Sequence, residues 1–170
     1  MKPEFSRPTE IRPFLEQGDE KEIAADPAER KVLALRFGIP SLEAFSIMVH
    51  GEKAGAGMYQ LKGRIVAKLT RTCVRTLEPM LEAIDQPFEV RLVERAIFET
   101  MGEGREEEPI DIEVLEDETL DLGELAAQYL SLLMDPFPRS NEAKVLPPLD
   151  VSGERQGGAF AALGKLKEKP

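Results

Sequence analysis

Five basic residues fall close together in this 170-residue chain: Lys62, Arg64, Lys68, Arg71 and Arg75. Between Lys53 and Leu77 there are six bases and no acid. Lys62, Arg64 and Lys68 share one parity, so in an extended strand they protrude on the same side. Their spacings of two and four residues correspond to roughly 7 and 13 Å along the strand. That suits successive phosphates of a nucleic-acid backbone, with Arg71 and Arg75 near one end. The same pattern also serves an ordinary solvated sheet face. Aromatic residues are only 6% of the chain and Trp is absent, so base-specific readout of single strands by stacking is not expected.

The acids are segregated from these bases. Between Glu99 and Glu124 there are 12 acids and one base, Arg105. Glu106, Glu107, Glu108, Asp111 and Glu113 form a candidate surface for a basic partner protein. The formal net charge of −10 repels nucleic acid at long range, so RNA contact requires a local basic surface, whereas basic proteins are attracted. A calcium loop is not indicated: calcium needs oxygen ligands at alternate positions and a glycine at the turn. In Asp111-Ile112-Glu113-Val114-Leu115-Glu116 the alternate positions are apolar.

Catalytic groups are sparse. His50 is the only histidine and Cys73 the only cysteine, which excludes histidine-cluster metal sites and an internal disulfide. There is no Gly-x-Ser-x-Gly elbow, phosphate loop or dinucleotide fingerprint, and Gly55-Ala56-Gly57 alone is a weak signal. His50 is expected at a surface or strand edge. Cys73 is expected as a small buried residue in a strand, although a Cys73–His50 nucleophile pair stays open at this level. No metal and no cofactor are expected.

The elements that position these residues can be read from period and punctuation. Asp26-Pro27-Ala28-Glu29 opens a helix by capping box with Pro at the first helical position. Its stripe of Val32, Leu33, Leu35 and Phe37 ends at Gly38 and Ile39-Pro40. From Ala44 the period becomes two, with Phe45, Ile47 and Val49 on one face of a strand. Gly51 to Gly57 reads as a flexible hairpin loop. A second strand runs from Tyr59 to about Thr76, with a bulge or bend near Thr70 because Arg71 and Arg75 fall on its apolar register. Leu77 to Asp85 is open between a helical turn and a continued strand. Phe88, Val90 and Leu92 mark a third strand running towards Phe98, and Ile110, Ile112 and Val114 a fourth. Gly102 to Glu108 reads as a polar loop. Asp121-Leu122-Gly123-Glu124 reads as a second capping box, opening a helix through Met134 with a stripe of Leu122, Leu125, Ala126, Tyr129 and Leu133.

These elements predict an α+β fold: an antiparallel sheet of about four or more strands, with helices packed at its N- and C-terminal ends. Residues 1–25, with three prolines, are expected as a partly ordered lead segment; residues 26–138 as a single domain; residues 139–170 as a flexible Pro/Gly-rich tail with an apolar-basic patch from Phe160 to Lys167. Apolar residues are 42% and charged residues 32%, which excludes collagen-like and wholly disordered chains. No apolar run approaches the roughly 20 residues of a membrane span, and the first ten residues lack a secretion-signal pattern. A cytoplasmic protein is expected.

Taken together, the motifs resemble a known family, the YceD-like large ribosomal RNA subunit accumulation proteins. Arg71-Thr72-Cys73-Val74-Arg75-Thr76-Leu77-Glu78-Pro79 looks like the alphaproteobacterial version of the family's central motif. Thr119-Leu120-Asp121-Leu122-Gly123-Glu124-Leu125 and Met134-Asp135-Pro136-Phe137-Pro138-Arg139 follow at the expected distance, and the helix from Asp26 and the tail Phe160-Ala161-Ala162-Leu163 fit as well. The resemblance implies a non-enzymatic factor needed for accumulation of large-subunit (23S) ribosomal RNA. Its partners would be that RNA, a basic ribosomal protein, or both, with no membrane and no small-molecule substrate. No catalytic residues come with it. Other branches carry a second cysteine where Thr76 stands; one thiolate cannot close a tetrahedral zinc site, so zinc is not expected here.

Overall fold

In the computed structural model, which describes residues 3–100 and 111–140, eleven elements follow one another. They are β1 (Pro8–Glu10), α1 (Ile11–Gln17), β2 (Glu20–Ala24), α2 (Pro27–Phe37), β3 (Ser41–Gly55), β4 (Met58–Thr72), β5 (Pro79–Glu94), α3 (Arg95–Thr100), β6 (Asp111–Leu115), β7 (Thr119–Asp121) and α4 (Leu122–Leu133). Strands β2-β3-β4-β5-β6 form one sheet, and β1 and β7 a separate two-stranded ribbon. The fold is α+β. The sheet is antiparallel except at one edge, where β6 runs parallel to β5. Alternation in β6 says that one side is wetter than the other; it carries no information on strand direction.

The sheet is built on period-two burial. In β4, Tyr59, Leu61, Ile65, Ala67 and Leu69 are buried, and so are Phe45, Ile47 and Val49 in β3 and Phe88, Val90 and Leu92 in β5. Helices α1 and α2 pack on β3, and α4 packs on β4 and β5. They add Leu15, Leu33, Leu122, Ala126 and Leu130 to the same core. The outward residues of the long strands, among them Met48, Lys62, Arg64, Val66, Lys68 and Asp85, are exposed. The sheet therefore has one helix-covered face and one open face.

Several local expectations change in the tertiary structure. Strand β3 continues through Gly55, and only Ala56 and Gly57 form the turn; Gly51 is a buried strand residue beneath Phe14 and Leu15 of α1, not part of a loop. The β4–β5 register is unbroken from Met58 to Thr72, so β4 itself carries no bulge; the irregularity expected near Thr70 lies on its partner β3, between Leu42 and Ala44 opposite Leu69 and Lys68, and a second lies between Lys53 and Gly55. Leu81 to Asp85 belong to β5, paired with β4, and Phe98 lies in α3 instead of a strand. The polar loop expected from Gly102 to Glu108 lies outside the described residues.

The two long helices start as their sequences suggest, but only one closes its capping box. Asp26 accepts hydrogen bonds from the Ala28 and Glu29 N–H groups, and Glu29 accepts from the Asp26 N–H. Asp121 accepts from the Gly123 and Glu124 N–H groups, yet the Glu124 carboxylate turns outward to Arg36, at 2.7 Å from each of two guanidinium nitrogens. In α2 the buried residues are Leu33 and Ala34, while Val32 and Leu35 face solvent. Leu33→Ala should therefore cost about 3 kcal/mol, whereas Leu35→Ala, at a site 76% exposed, should leave the urea midpoint nearly unchanged. Equal losses at the two positions would mean that α2 buries a different face.

The lead segment contributes more to the core than its three prolines suggest. Phe5, Ile11, Phe14, Leu15 and Ile23 are buried, and the Phe5 ring packs on Phe45 of β3 with centroids 5.4 Å apart. The chain from Arg139 onward lies almost wholly outside the described residues.

Candidate nucleic-acid interface

Lys62, Arg64 and Lys68 stand in a row on β4, the central strand, and all three are exposed on the open face. Cross-strand register gives each its neighbours: Lys62 lies between His50 and Glu89, Arg64 between Met48 and Pro87, and Lys68 between Ala44 and Ala83. Gly63, between the first two, turns to the covered side, where the Phe88 ring lies over it. A shallow cleft of ≈ 260 Å³ opens beside them, lined by Glu20, Met48, His50, Lys62, Gly63 and Arg64.

The face is mixed in sign. Lys62 Nζ lies 2.5 Å from Glu52, and Arg64 Nε lies 2.5 Å from Asp85. Hydrogen bonding to Glu52 raises the Lys62 pKa above its ordinary value and lowers that of Glu52; the Arg64–Asp85 pair shows the same reciprocal shifts. Both pairs are about half exposed, and exposed pairs of this kind contribute little to stability because solvent screens them. Among the described residues Lys68 makes no ion pair. Its neighbours on the two flanking strands are alanines, so it is the least encumbered of the three.

The other two bases have different surroundings. Arg71 occupies the covered register; its side chain is only 11% exposed. It donates to Glu82 at 3.2 Å and to the Asp135 carbonyl at 2.7 Å, tying the end of the β4–β5 hairpin to the segment after α4. Arg75 lies half-buried in the turn between β4 and β5. Of the acidic candidates, Glu106, Glu107 and Glu108 lie outside the described residues, Asp111 begins β6, and Glu113 is exposed on that edge strand.

Cys73 follows the last residue of β4 and is fully buried. Its sulfur is an acceptor: the Thr76 hydroxyl donates to it first, then the N–H groups of Ser140, Thr76 and Arg75, and together these lower its pKa to about 6. The Cys73 N–H donates to the Glu78 carbonyl and the Val74 N–H to the Pro138 carbonyl, both at 2.9 Å. The central motif is thus a closed knot, with Leu77 in a left-handed conformation at φ 61°. His50 is half-buried on the inner strand β3 and not at an edge. It pairs with Lys62, eleven residues before Cys73, or roughly 36 Å along the strand, so the two cannot form a nucleophile pair. Among the described residues no three of His, Cys, Asp and Glu are grouped to hold a metal ion.

These features define an α+β protein with a helix-covered sheet face and an open face bearing exposed bases and weakly held carboxylates. The chain belongs to the YceD family, whose model, described as large ribosomal RNA subunit accumulation protein YceD, matches residues 61–167. No curated protein and no solved structure matches the chain. The matched stretch takes in β4 from Leu61 onward with its basic row, the Cys73 knot and α4. The family name ties the chain to accumulation of the large-subunit ribosomal RNA. No helix among the described residues is long and apolar enough to cross a membrane.

Proposed function

We propose that the chain is a non-enzymatic cytoplasmic factor that supports accumulation of large-subunit ribosomal RNA by contacting that RNA through the open face, with Lys62, Arg64 and Lys68 as the phosphate contacts. The observation carrying this reading is the exposed row itself: three bases on one side of a central strand, two of them held only by half-exposed carboxylates. A phosphate can replace Glu52 or Asp85 at little cost, because surface ion pairs are weak. Arg71 belongs to the scaffold in this reading, not to the contact surface. Catalysis is not part of the proposal, since the one histidine and the one cysteine are far apart.

Crosslinking in cells, reading out RNA and protein partners together, tests the reading. Lys62→Glu, Arg64→Glu and Lys68→Glu combined should abolish ribosomal RNA crosslinks in a folded protein. The corresponding alanine variant should flatten the salt dependence of binding by about two to three counterions.

A second reading, in which acids hold a basic ribosomal protein, draws on carboxylates other than the Glu106 to Glu113 set: Glu20, Glu22, Glu52, Asp85 and Glu89 lie on the same open face by register. Glu52→Gln with Asp85→Asn separates the two by sign. If phosphates bind the row, freeing Lys62 and Arg64 should tighten RNA binding roughly three- to tenfold. If a basic protein binds, the same substitutions should weaken a salt-sensitive, nuclease-resistant pull-down.

A further inference from the structure

On the helix side of the molecule, away from the open face, α2 and α4 leave a cleft of ≈ 520 Å³ between their C-terminal ends. It is lined by Arg36, Phe37, Gln128, Ser131, Leu132 and Met134. Phe37 and Met134 are half-buried and pack against the core, whereas Leu132 is 75% exposed. The volume lies in the range of pockets that take several apolar groups. Arg36 is the only base of the lining, and it is shared between Glu124 and Glu4 at 2.7 and 3.0 Å. No acid lines the cleft itself, but Glu124, which also accepts from Gln128 of the lining, and Glu4 hold Arg36, so these three groups together carry one negative charge at its edge.

The chain contains a segment of matching chemistry. Residues 160–167 carry Phe160, Leu163 and Leu166 at three-residue spacing, with Lys165 and Lys167 beside them. The family match does not stop after α4 but runs on to residue 167, so the segment belongs to the same matched stretch as the α4 wall of the cleft. The described chain passes Met134, in the cleft wall, and reaches Ser140 six residues later. From there to Phe160 is 20 residues, a tether that can span up to about 70 Å when fully extended. A tether of this kind holds its segment at an effective concentration on the order of millimolar, enough for a modest apolar contact to form within one molecule.

We propose that the cleft between α2 and α4 is the docking site for the chain's own residues 160–167, with Phe160, Leu163 and Leu166 entering it and Lys165 and Lys167 meeting the negative charge at its edge. Docking covers Leu132 and straps the C-terminal segment across the helix layer. The proposal is independent of the RNA reading, which uses the opposite face.

Full-length protein carrying Ser131→Cys and Ala162→Cys tests it, with Ala83→Cys and Ala162→Cys as the control for random encounters on the open face. Both pairs keep Phe160, Leu163 and Leu166 and every apolar side chain of the cleft, and Cys73 remains buried in each. Mild oxidation should close the 131–162 disulfide within one chain at least tenfold faster than the control. In the same full chain, Phe160→Glu with Leu163→Glu should speed amide exchange at Gln128 to Met134. Equal crosslinking rates, crosslinks only between two chains, or unchanged exchange would each overturn the proposal; the second result would identify another copy of the protein as the occupant.

Discussion

Gly63→Ala is expected to destabilise the fold by about 3 kcal/mol or more, measured as a fall in the urea midpoint at constant slope. Elsewhere in a strand the same change removes freedom from the unfolded chain and gains stability, so the expected sign is opposite to the default. A Cβ at Gly63 would lie 2.3 Å from the Phe88 ring and 2.4 Å from the Met48 carbonyl oxygen. The ring could turn aside, but the carbonyl belongs to β3 backbone, so strands β3 and β4 would have to separate. The Phe88 ring also packs on Tyr129 of α4, with centroids 5.0 Å apart. Moving it loosens the helix layer and distorts the strand that carries Lys62 and Arg64. An unchanged or raised midpoint would show that Phe88 does not cross β4 at this point.

The second large effect centres on Asp121. Its carboxylate accepts four hydrogen bonds: from the Ser6 hydroxyl at 2.6 Å, the Arg7 N–H at 2.7 Å, and the Gly123 and Glu124 N–H groups of α4. Arg7 in turn makes a two-pronged contact with Glu29, the capping-box residue of α2, at 2.7 and 2.8 Å. One carboxylate thus caps α4 and fastens the lead segment that brings Phe5 into the core. Asp121→Ala should cost about 3 kcal/mol, a lost cap plus lost charge-assisted bonds. Asp121→Asn, which keeps a capping oxygen, should cost about 1 kcal/mol. Native-state proteolysis should cut first before residue 20 in the alanine variant; the same cleavage pattern as the unaltered chain would argue that the segment is held by other contacts.

Asp121 also predicts acid sensitivity. Burial pushes its pKa up, but the Ser6 hydroxyl and the three N–H donors outweigh that and hold it below the ordinary value. A depressed carboxyl stabilises the fold fully above its unfolded pKa of about 3.9, and the contribution fades as pH falls through the lower folded value. The stability lost between pH 5 and 2 should therefore be smaller in Asp121→Asn than in the unaltered chain.

Much of this fold could be read from local pattern. The Asp26–Glu29 box, the Gly38 stop and the α4 start all act within four residues, and a capped helix end is stabilised wherever it is placed. Lys62, Arg64 and Lys68 share a side because the period of a strand is two. The lead segment had a readable signal too: Ile11, Phe14 and Leu15 at helical spacing before Gly18, obscured by the prolines around them. Nothing local could have given Arg71 its fate, since Glu82 and the Asp135 carbonyl come from other parts of the chain.

The amino-acid order by itself determined which residues alternate, where the two long helices begin, and that bases and acids occupy different stretches. Only the tertiary structure decided that β6 runs parallel, that the open face mixes both signs, and that Glu52 and Asp85 meet Lys62 and Arg64. Local backbone energies act over a few residues and favour an element whatever surrounds it. Strand direction, register and charge partners depend on segments ten to a hundred residues apart, chosen together when one shared core excludes water.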